Sequence, residues 1–569
     1  MRPKTPWIVC ALCVLVTSSC ENPVGPIERC LLQAEFDGPF DITMFKGDTL
    51  QFSVVVRDCN NTVLPNYPIE WRSHDVSIVT VDNTGLAIAR AQGYAYLEWS
   101  AIDLTGAGAF GVTNIRVSEY AARVEIGPTD LRVVPEGPGF LTATAFAENG
   151  DALFPGWTAT WESGDDGIAT VNAAGVVRGV AEGVTSITAT VHDASATVEV
   201  TVTLLTLVDV HVGHSFTCGA TTDGFVFCWG RNESGALGDP NSPSDHRLRM
   251  VVGRTRVRSV TAGGTHACAL DEDGTVWCWG SAASGQLGAG LFGGVHRPSR
   301  VASEIPFRDV SAGDAHTCGI TPADTPYCWG SGGSGQLGAQ GVSLCSFGKG
   351  AGLPCSLIPI AVSGLDELQV ISAGGAHTCG LDLQGAAICW GANYAGQLGL
   401  GAVSDSVGSP TNVDTQLRFE RISSGGSHSC AVTGAGEIYC WGYNPTGQLG
   451  NGTLGNRTLP VAVVSAERFT MVNAGFDHTC ALTETGIAYC WGGNRDGQLG
   501  DGSGDQSPKL VPTLVAVVPA LQSISAGATH SCGLGVDGVA YCWGNNLDGQ
   551  LGAEAGDPSW LPIRVSGQR

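Results

Sequence analysis

A tryptophan-glycine pair occurs seven times in the C-terminal two thirds of the chain: Trp229-Gly230, Trp279-Gly280, Trp329-Gly330, Trp390-Gly391, Trp441-Gly442, Trp491-Gly492 and Trp543-Gly544. Successive tryptophans stand 50, 50, 61, 51, 50 and 52 residues apart, so one repeat carries an insertion and the others keep register. A fixed period of this length marks an array of supersecondary units, each too small to bury its apolar face alone. The clearest copy is Ala474 to Gly500, AGFDHTCALTETGIAYCWGGNRDGQLG. Within it an apolar stretch from Thr479 to Leu482, a turn at Thr483 to Gly486 and an aromatic-rich stretch from Ile487 to Trp491 spell a β-hairpin. Strand candidates at Leu459 to Val464 and Phe469 to Val472 precede it. That makes about four strands per unit, the content of a propeller blade. Gly supplies 81 of 569 residues, about twice the usual share without a collagen-like period, as many tight turns require.

Each copy also holds two cysteines ten positions apart: Cys218 and Cys228, Cys268 and Cys278, Cys318 and Cys328, Cys379 and Cys389, Cys430 and Cys440, Cys480 and Cys490, Cys532 and Cys542. If residues 483 to 487 close the hairpin, Cys480 and Cys490 fall opposite each other, within reach of a cross-strand disulfide. The spacing suits no common zinc site. Buried reduced thiols filling strand positions are the alternative.

The pattern A-G-x-x-H-[ST]-x-x-L, a turn, and then W-G-x-N-x-x-G-Q-L-G resembles the regulator-of-chromosome-condensation repeat. The resemblance covers residues 204–569 and implies a seven-bladed β-propeller. The first copy starts at Leu207-Val208-Asp209-Val210 with no proline-valine strand before it, whereas Trp560 to Val565 matches Leu357 to Val362 in type. The C-terminal strand is therefore expected to pair into the blade begun at Val208 and fasten the ring.

Two upstream segments copy each other. Ile69 to Ser73, Ile78 to Asp82 and Gly85 to Ala87 correspond to Ala159 to Ser163, Ile168 to Asn172 and Gly175 to Val177. Both resemble bacterial immunoglobulin-like domains of the second group, which implies β-sandwiches over residues 31–118 and 119–203. The expected fold class is all-β: two immunoglobulin-like β-sandwiches followed by a seven-bladed β-propeller.

The chain opens with MRPK and an apolar run from Trp7 to Thr17, short for a membrane span and typical of a secretory leader. Small residues then precede Cys20, which resembles the cleavage and lipidation box of bacterial lipoproteins, although Thr17 stands where that box usually has Leu or Val. The expectation is a signal peptide over 1–19, lipidation at Cys20 and an envelope tether over 20–30. Export accounts for the cysteine pairs, which the repeat family does not ordinarily carry. Cys10 and Cys13 leave with the leader, and pairing Cys30 with Cys59 and Cys345 with Cys355 leaves no mature thiol over. The chain should then reside at the bacterial cell envelope, lipid-anchored, or outside the cell.

The formal net charge is -24 and Lys occurs only at positions 4, 46, 349 and 509, so no phosphate-neutralising surface is expected and no nucleic-acid partner. The membrane should be reached only through the N-terminal lipid, and a monomer is expected. His214, His266, His316, His377, His428, His478 and His530 are read as one position in each copy. Symmetry holds equivalent residues of a ring too far apart to share a metal, so each should bond backbone groups at its own strand. The tryptophans are expected in the core between blades. Asp271 to Gly274 fills the hairpin-turn slot, and Asp496 to Asp505 lacks the spacing of a calcium loop. No metal, cofactor or catalytic residue is nominated.

The favoured function is binding of a protein or extracellular ligand by a propeller face, the identity of the ligand being unknown. The insertion between Gly338 and Leu357 would add asymmetry to that face. Family resemblance also leaves open nucleotide exchange on a small GTPase, and propeller architecture leaves open an extracellular hydrolase or lyase. The last would need a charged, nonrepeating cluster at the channel mouth.

Overall fold

The computed structural model of the protein describes residues 33–37, 41–57, 61–102, 108–153, 157–251, 256–339, 343–345 and 352–568. Every helix or strand among them is a β-strand. The leader, Cys20, the tether and the pairing of Cys30 with Cys59 lie outside the described residues. Two compact units result, one running to Ala122 and including Ala145–Trp157, the other made of Arg123–Thr144 and Thr158 onward.

The first unit is a sandwich. One sheet runs Asp41–Phe45, Gly108–Ser118, Gly93–Ile102, Glu70–Ser73, and the other runs Thr49–Gln51, Leu86–Ala89, Val79–Val81. Met44, Phe52, Val79, Leu97 and Ile115 fill the space between them. The second unit begins with the same strand orders: Leu131–Val133, Ala194–Val202, Gly183–Val191, Thr160–Ser163, and Pro138–Phe140, Val176–Gly179, Ala169–Val171. The shared tryptophan and glycine have one structural cause. Gly85 (φ +85°) and Gly175 (φ +77°) lie in the left-handed region, and a Cβ on either would stand 3.0 Å from the ring of Trp71 or Trp161. Only glycine allows both that turn and that close approach.

The rest of the second unit is a ring of seven sheets. Blade six is typical: Phe469–Ala474, His478–Thr483, Ala488–Gly492 and Lys509–Leu514 pair antiparallel in chain order, from the channel outward. The proline-bearing strand thus follows its hairpin as the outermost strand of the same blade. Two sequence expectations are corrected by this. Blade one is complete in itself, as Leu207–Val212, Phe216–Thr221, Val226–Gly230 and Asp245–Met250. The C-terminal strand, Ser559–Arg564, stays in blade seven beside Ala540–Gly544. The chain ends meet all the same. Leu205 and Gln568 form a single bridge, the Leu205 N–H donates to Gly567 (3.0 Å), and Val565 packs with Leu205 and Leu207.

Each cysteine pair sits in directly opposed register, as Cys480 with Cys490, with Cα atoms 4.1 Å apart, and is disulfide-bonded and fully buried. Cys345 and Cys355 are bonded as well, with Cα atoms 5.8 Å apart. They belong to the insertion, whose described strand Ser343–Cys345 adds a fifth, outermost strand to blade three.

The seven tryptophans are fully buried and lock each blade to the one before it. The Trp329, Trp390, Trp491 and Trp543 indoles donate to the backbone carbonyls of Gln286, Gln336, Gln448 and Gln498 (2.9–3.0 Å). Hydroxyls of Thr317, Thr378, Thr479 and Ser531 donate to the same carbonyls. These hydroxyls, and those of Ser429 and Thr217, which donate to the Gln397 and Gln550 carbonyls, accept from histidine Nε2 of the preceding blade: His266 to Thr317, His316 to Thr378, His377 to Ser429, His428 to Thr479, His478 to Ser531 and His530 to Thr217, at 2.8–2.9 Å. The histidines therefore bond hydroxyls across six seams, not the backbone of their own strand as the sequence suggested. Burial pushes the imidazoles of His266, His377, His428 and His530 down to about 3 and that of His316 to about 4.

Blade one departs from this pattern at its seam with blade two and at its outer edge. Phe216, not His214, occupies its histidine position, and the facing residue in blade two is Ala267 in place of a hydroxyl. The seam between blades one and two is thus apolar. On the outer edge, six blades carry a proline at one register position, Pro298, Pro359, Pro410, Pro460, Pro512 and Pro562, where blade one has Leu248. Proline blocks further strand pairing at an open edge. Leu248 is buried instead, because strands Leu131–Val133 and Pro138–Phe140 of the second sandwich pack on that edge. Val134 joins the Leu248 cluster, Arg249 lies over the Phe140 ring at 5.0 Å, and Arg132 reaches Asp223 at 2.5 Å.

Candidate functional site

The innermost strand of each blade ends in a three-residue link to the next strand, and these links ring one mouth of the channel. Within each link one position follows the conserved glycine, and there the repeat loses its regularity: His214, Gly264, Asp314, Gly375, Gly426, Phe476 and Ala528. Miscounting His214 into the buried histidine set hid this. It stands two residues before the histidine slot, 40% exposed, with Nε2 2.9 Å from Asp314 Oδ1 on blade three.

Gly264 makes that span across blade two possible. A Cβ there would stand 2.8 Å from the Asp314 carbonyl and 3.1 Å from His214 Cε1. The Phe476 ring meets the His214 ring edge-on at 6.1 Å. Gly426 gives Phe476 its place in turn, since a Cβ would come 2.9 Å from the Phe476 ring. The rim backbone is knitted blade to blade, with the N–H of Gly264, Asp314, Gly375, Gly426 and Phe476 each donating to a glycine carbonyl of the next link at 2.9–3.2 Å.

Beside the mouth, the Tyr394 hydroxyl bonds the Ser427 hydroxyl, and the Tyr443 N–H donates to the Ser427 carbonyl (2.9 Å). Tyr394, Tyr443 and Phe476 are all large exposed side chains. They stand on blades four, five and six, with Phe476 against the imidazole of blade one. Exposed aromatics of this kind mark contact surfaces.

This is a charged, nonrepeating cluster at the channel mouth. Among the described residues no hydroxyl or thiol is hydrogen-bonded to His214 or Asp314. None of the disulfide cysteines lines the mouth; they serve the blades. Around Asp496 to Asp505, Lys509 bonds Asp505 at 3.0 Å, and no group of three or more metal-ligating side chains exists among the described residues. Asp314, Phe476, Tyr394 and Tyr443 were missed in the sequence. For Asp314 and Phe476 the signal was there, at the first of the two variable positions of A-G-x-x-H, whereas Tyr394 and Tyr443 lie outside that motif.

The profile of the RCC1-like domain matches residues 179–532, that of the regulator of chromosome condensation repeat matches residues 522–550, and that of the bacterial Ig-like domain, group 2, matches residues 142–202. Ultraviolet-B receptor UVR8 of Arabidopsis thaliana is 27% identical over 213 residues, 36% of this chain and 48% of that protein. Probable E3 ubiquitin-protein ligase HERC4 of Homo sapiens is 34% identical over 110 residues, 19% of this chain and 10% of that protein. The chain thus spans about half of the first relative and a tenth of the second. Among solved structures, yeast RCC1 (Prp20) bound to Kap60 superposes with a TM-score of 0.51 at 22% identity, covering 61% of this chain and 85% of that one. Human WBSCR16 gives 0.52 at 20% identity, covering 63% and 92%. Both establish the fold.

Proposed function

The chain belongs to the RCC1-like domain family, and from that premise we propose that it is an exported, envelope-anchored binding protein that offers the mouth face of its propeller to a protein or other extracellular ligand. The observation that carries the reading is the break in sevenfold regularity at the mouth. Six seams repeat one buried histidine-to-hydroxyl bond, while the position after the link glycine holds His214, Asp314, Phe476, Ala528 and three glycines. An asymmetric surface on a symmetric scaffold is what recognition of an asymmetric partner needs. In this reading residues 1–19 are a leader, Cys20 carries lipid after cleavage, 20–30 is a tether, and domains 31–118 and 119–203 form a stalk for the propeller at 204–569. Disulfides in every blade support an oxidising location.

Two experiments test this. Intact-protein mass spectrometry of the native protein should find a chain beginning at a lipid-modified Cys20, and Cys20→Ser should release it from membranes. An unmodified chain beginning elsewhere sinks the anchor. Cross-linking in the producing cells should yield a partner with the wild-type chain that is lost in a Tyr394→Ala, Tyr443→Ala, Phe476→Ala variant and kept when the outer-edge residue Leu459 is changed to Ala. The opposite pattern would move the binding face to the blade edges.

A further inference from the structure

The chemistry of the mouth narrows the ligand, on the reading that this face binds. Its walls include one carboxylate, Asp314, one imidazole, His214, and no Lys, Arg, Asn or Gln. Asp314 Oδ1 accepts from His214, whereas Oδ2 has no hydrogen-bond partner among the described residues. Glycines leave it uncovered: a Cβ on Gly375 would lie 3.3 Å from Oδ2. The ring of residues just below is Val212, Ala262, Ala312, Ala373, Ser424, Ala474 and Ala526, apolar but for one. Ser424 is 7% exposed, and its Oγ has no partner. A buried hydroxyl left unpaired costs free energy unless something completes it.

The mouth therefore offers unspent acceptors, an aromatic wall at Phe476 and almost no donors, in a cavity of about 80 Å³. A sugar, which presents hydroxyls that both donate and accept, would leave half its groups unanswered. A primary ammonium or a guanidinium has only donors and a positive charge, and is held by carboxylate, hydroxyl and ring face together. The size is that of a side-chain tip, and the chain's net charge of -24 favours approach of a basic partner. We propose that the channel mouth is a receptor for one basic side chain, lysine or arginine, of a partner protein, with Asp314 Oδ2 and Ser424 Oγ as acceptors, Phe476 as the wall and His214 positioning the carboxylate.

Saturation-transfer difference NMR on the full chain tests this with four probes: Nα-acetyl-lysine amide, Nα-acetyl-arginine amide, Nα-acetyl-norleucine amide and methyl glucoside. The terminal methylenes of the lysine or arginine probe should receive saturation at millimolar concentration, and norleucine and glucoside should not. Asp314→Asn, which keeps the shape and the His214 bond, should weaken the signal at least ten-fold at an unchanged melting temperature, and Phe476→Ala should weaken it less. Equal saturation of norleucine, preference for the glucoside, or indifference to Asp314→Asn would each overturn the assignment. A cross-linked partner that depends on Tyr394 and Tyr443 but ignores Asp314→Asn would also overturn it, while leaving the binding face standing.

Discussion

Blade one and its six siblings share a strand order and a disulfide, yet they solve the same two problems by opposite means. At the seam, the siblings face a histidine to a hydroxyl, and blade one faces Phe216 to Ala267. Along the innermost strand, Ser525, Thr261, Ser311, Ser372, Ser423 and Asn473 each accept the next blade's backbone N–H at 2.8–3.1 Å. Between blades one and two, Asp209 accepts from Val260 in their stead. At the outer edge, six blades hold a proline, and in blade three the added strand pairs with residues 353–355 and not at Pro359, whereas Leu248 accepts a domain. A repeat array keeps its polar latches where blades are interchangeable and departs from them at the blade joined to something else.

The largest expected effect separates the polar seams from the apolar one by pH. In each polar seam the hydroxyl donates to a glutamine carbonyl, so the imidazole donates through Nε2–H. Its Nδ1 has no partner. The folded-state values near 3 to 4 lie below the ordinary 6.5 of an unfolded histidine. The unfolded chain therefore binds more protons between those limits. Stability is complete above about pH 6.5 and is lost as pH falls towards 3, by about 1.4 kcal/mol per unit for each histidine. Five acting together set an upper bound on this loss on the order of 14 kcal/mol at pH 4.5. Urea midpoints at pH 7.5 and 4.5 measure this. Native-state hydrogen exchange should show the seam between blades one and two outlasting the rest in acid. A flat midpoint across that range would mean the seam histidines are not buried as neutral bases.

The next effect concerns the outer edges. Leu248→Ala removes a buried side chain from the junction with the second sandwich and should cost about 2–5 kcal/mol, lowering the urea midpoint. Pro298→Leu at the matching position of blade two lies on an edge with no such cover. It should change stability by less than about 1 kcal/mol but favour self-association, visible by light scattering, because an edge has been reopened. If the two substitutions cost the same, the contrast between covered and open edges is wrong.

Much of this was legible beforehand. The Trp-Gly period and the ten-residue cysteine spacing contain the blade count, the hairpin register and the buried disulfides, since a cross-strand pair depends only on where the turn falls. The order of strands within a blade was not. A strand lying between two hairpins can pair with either, and a local pattern does not say which, so the proline strand was placed in the wrong blade and the ring closed the wrong way. The seam bonds were missed for a related reason, because His266 and Thr317 meet across 51 residues. Leu248 in the place of six prolines was visible in the sequence. It marks the covered edge as plainly as the prolines mark the open ones.

The smallest effect tests whether Phe216 and Ala267 are a coupled exchange for histidine and hydroxyl. Phe216→His alone would set an Nε2–H against the methyl of Ala267, leaving a buried donor unpaired at about 1–3 kcal/mol, besides lost ring packing. Ala267→Thr alone introduces a hydroxyl that can reach the Ala236 carbonyl, which already accepts the Trp279 indole at 2.8 Å, but crowds the Phe216 ring, at about 1–3 kcal/mol. With both changes the imidazole meets the hydroxyl as it does in the other six seams. The double variant should therefore be about 1–2 kcal/mol more stable than the sum of the single costs predicts. Its acid slope should also exceed that of the wild type by one proton. Urea titrations of the four proteins at pH 7.5 and 5 give both quantities. Additive costs with an unchanged slope would show that the apolar seam is an independent feature of blade one, unrelated to the latch its siblings use.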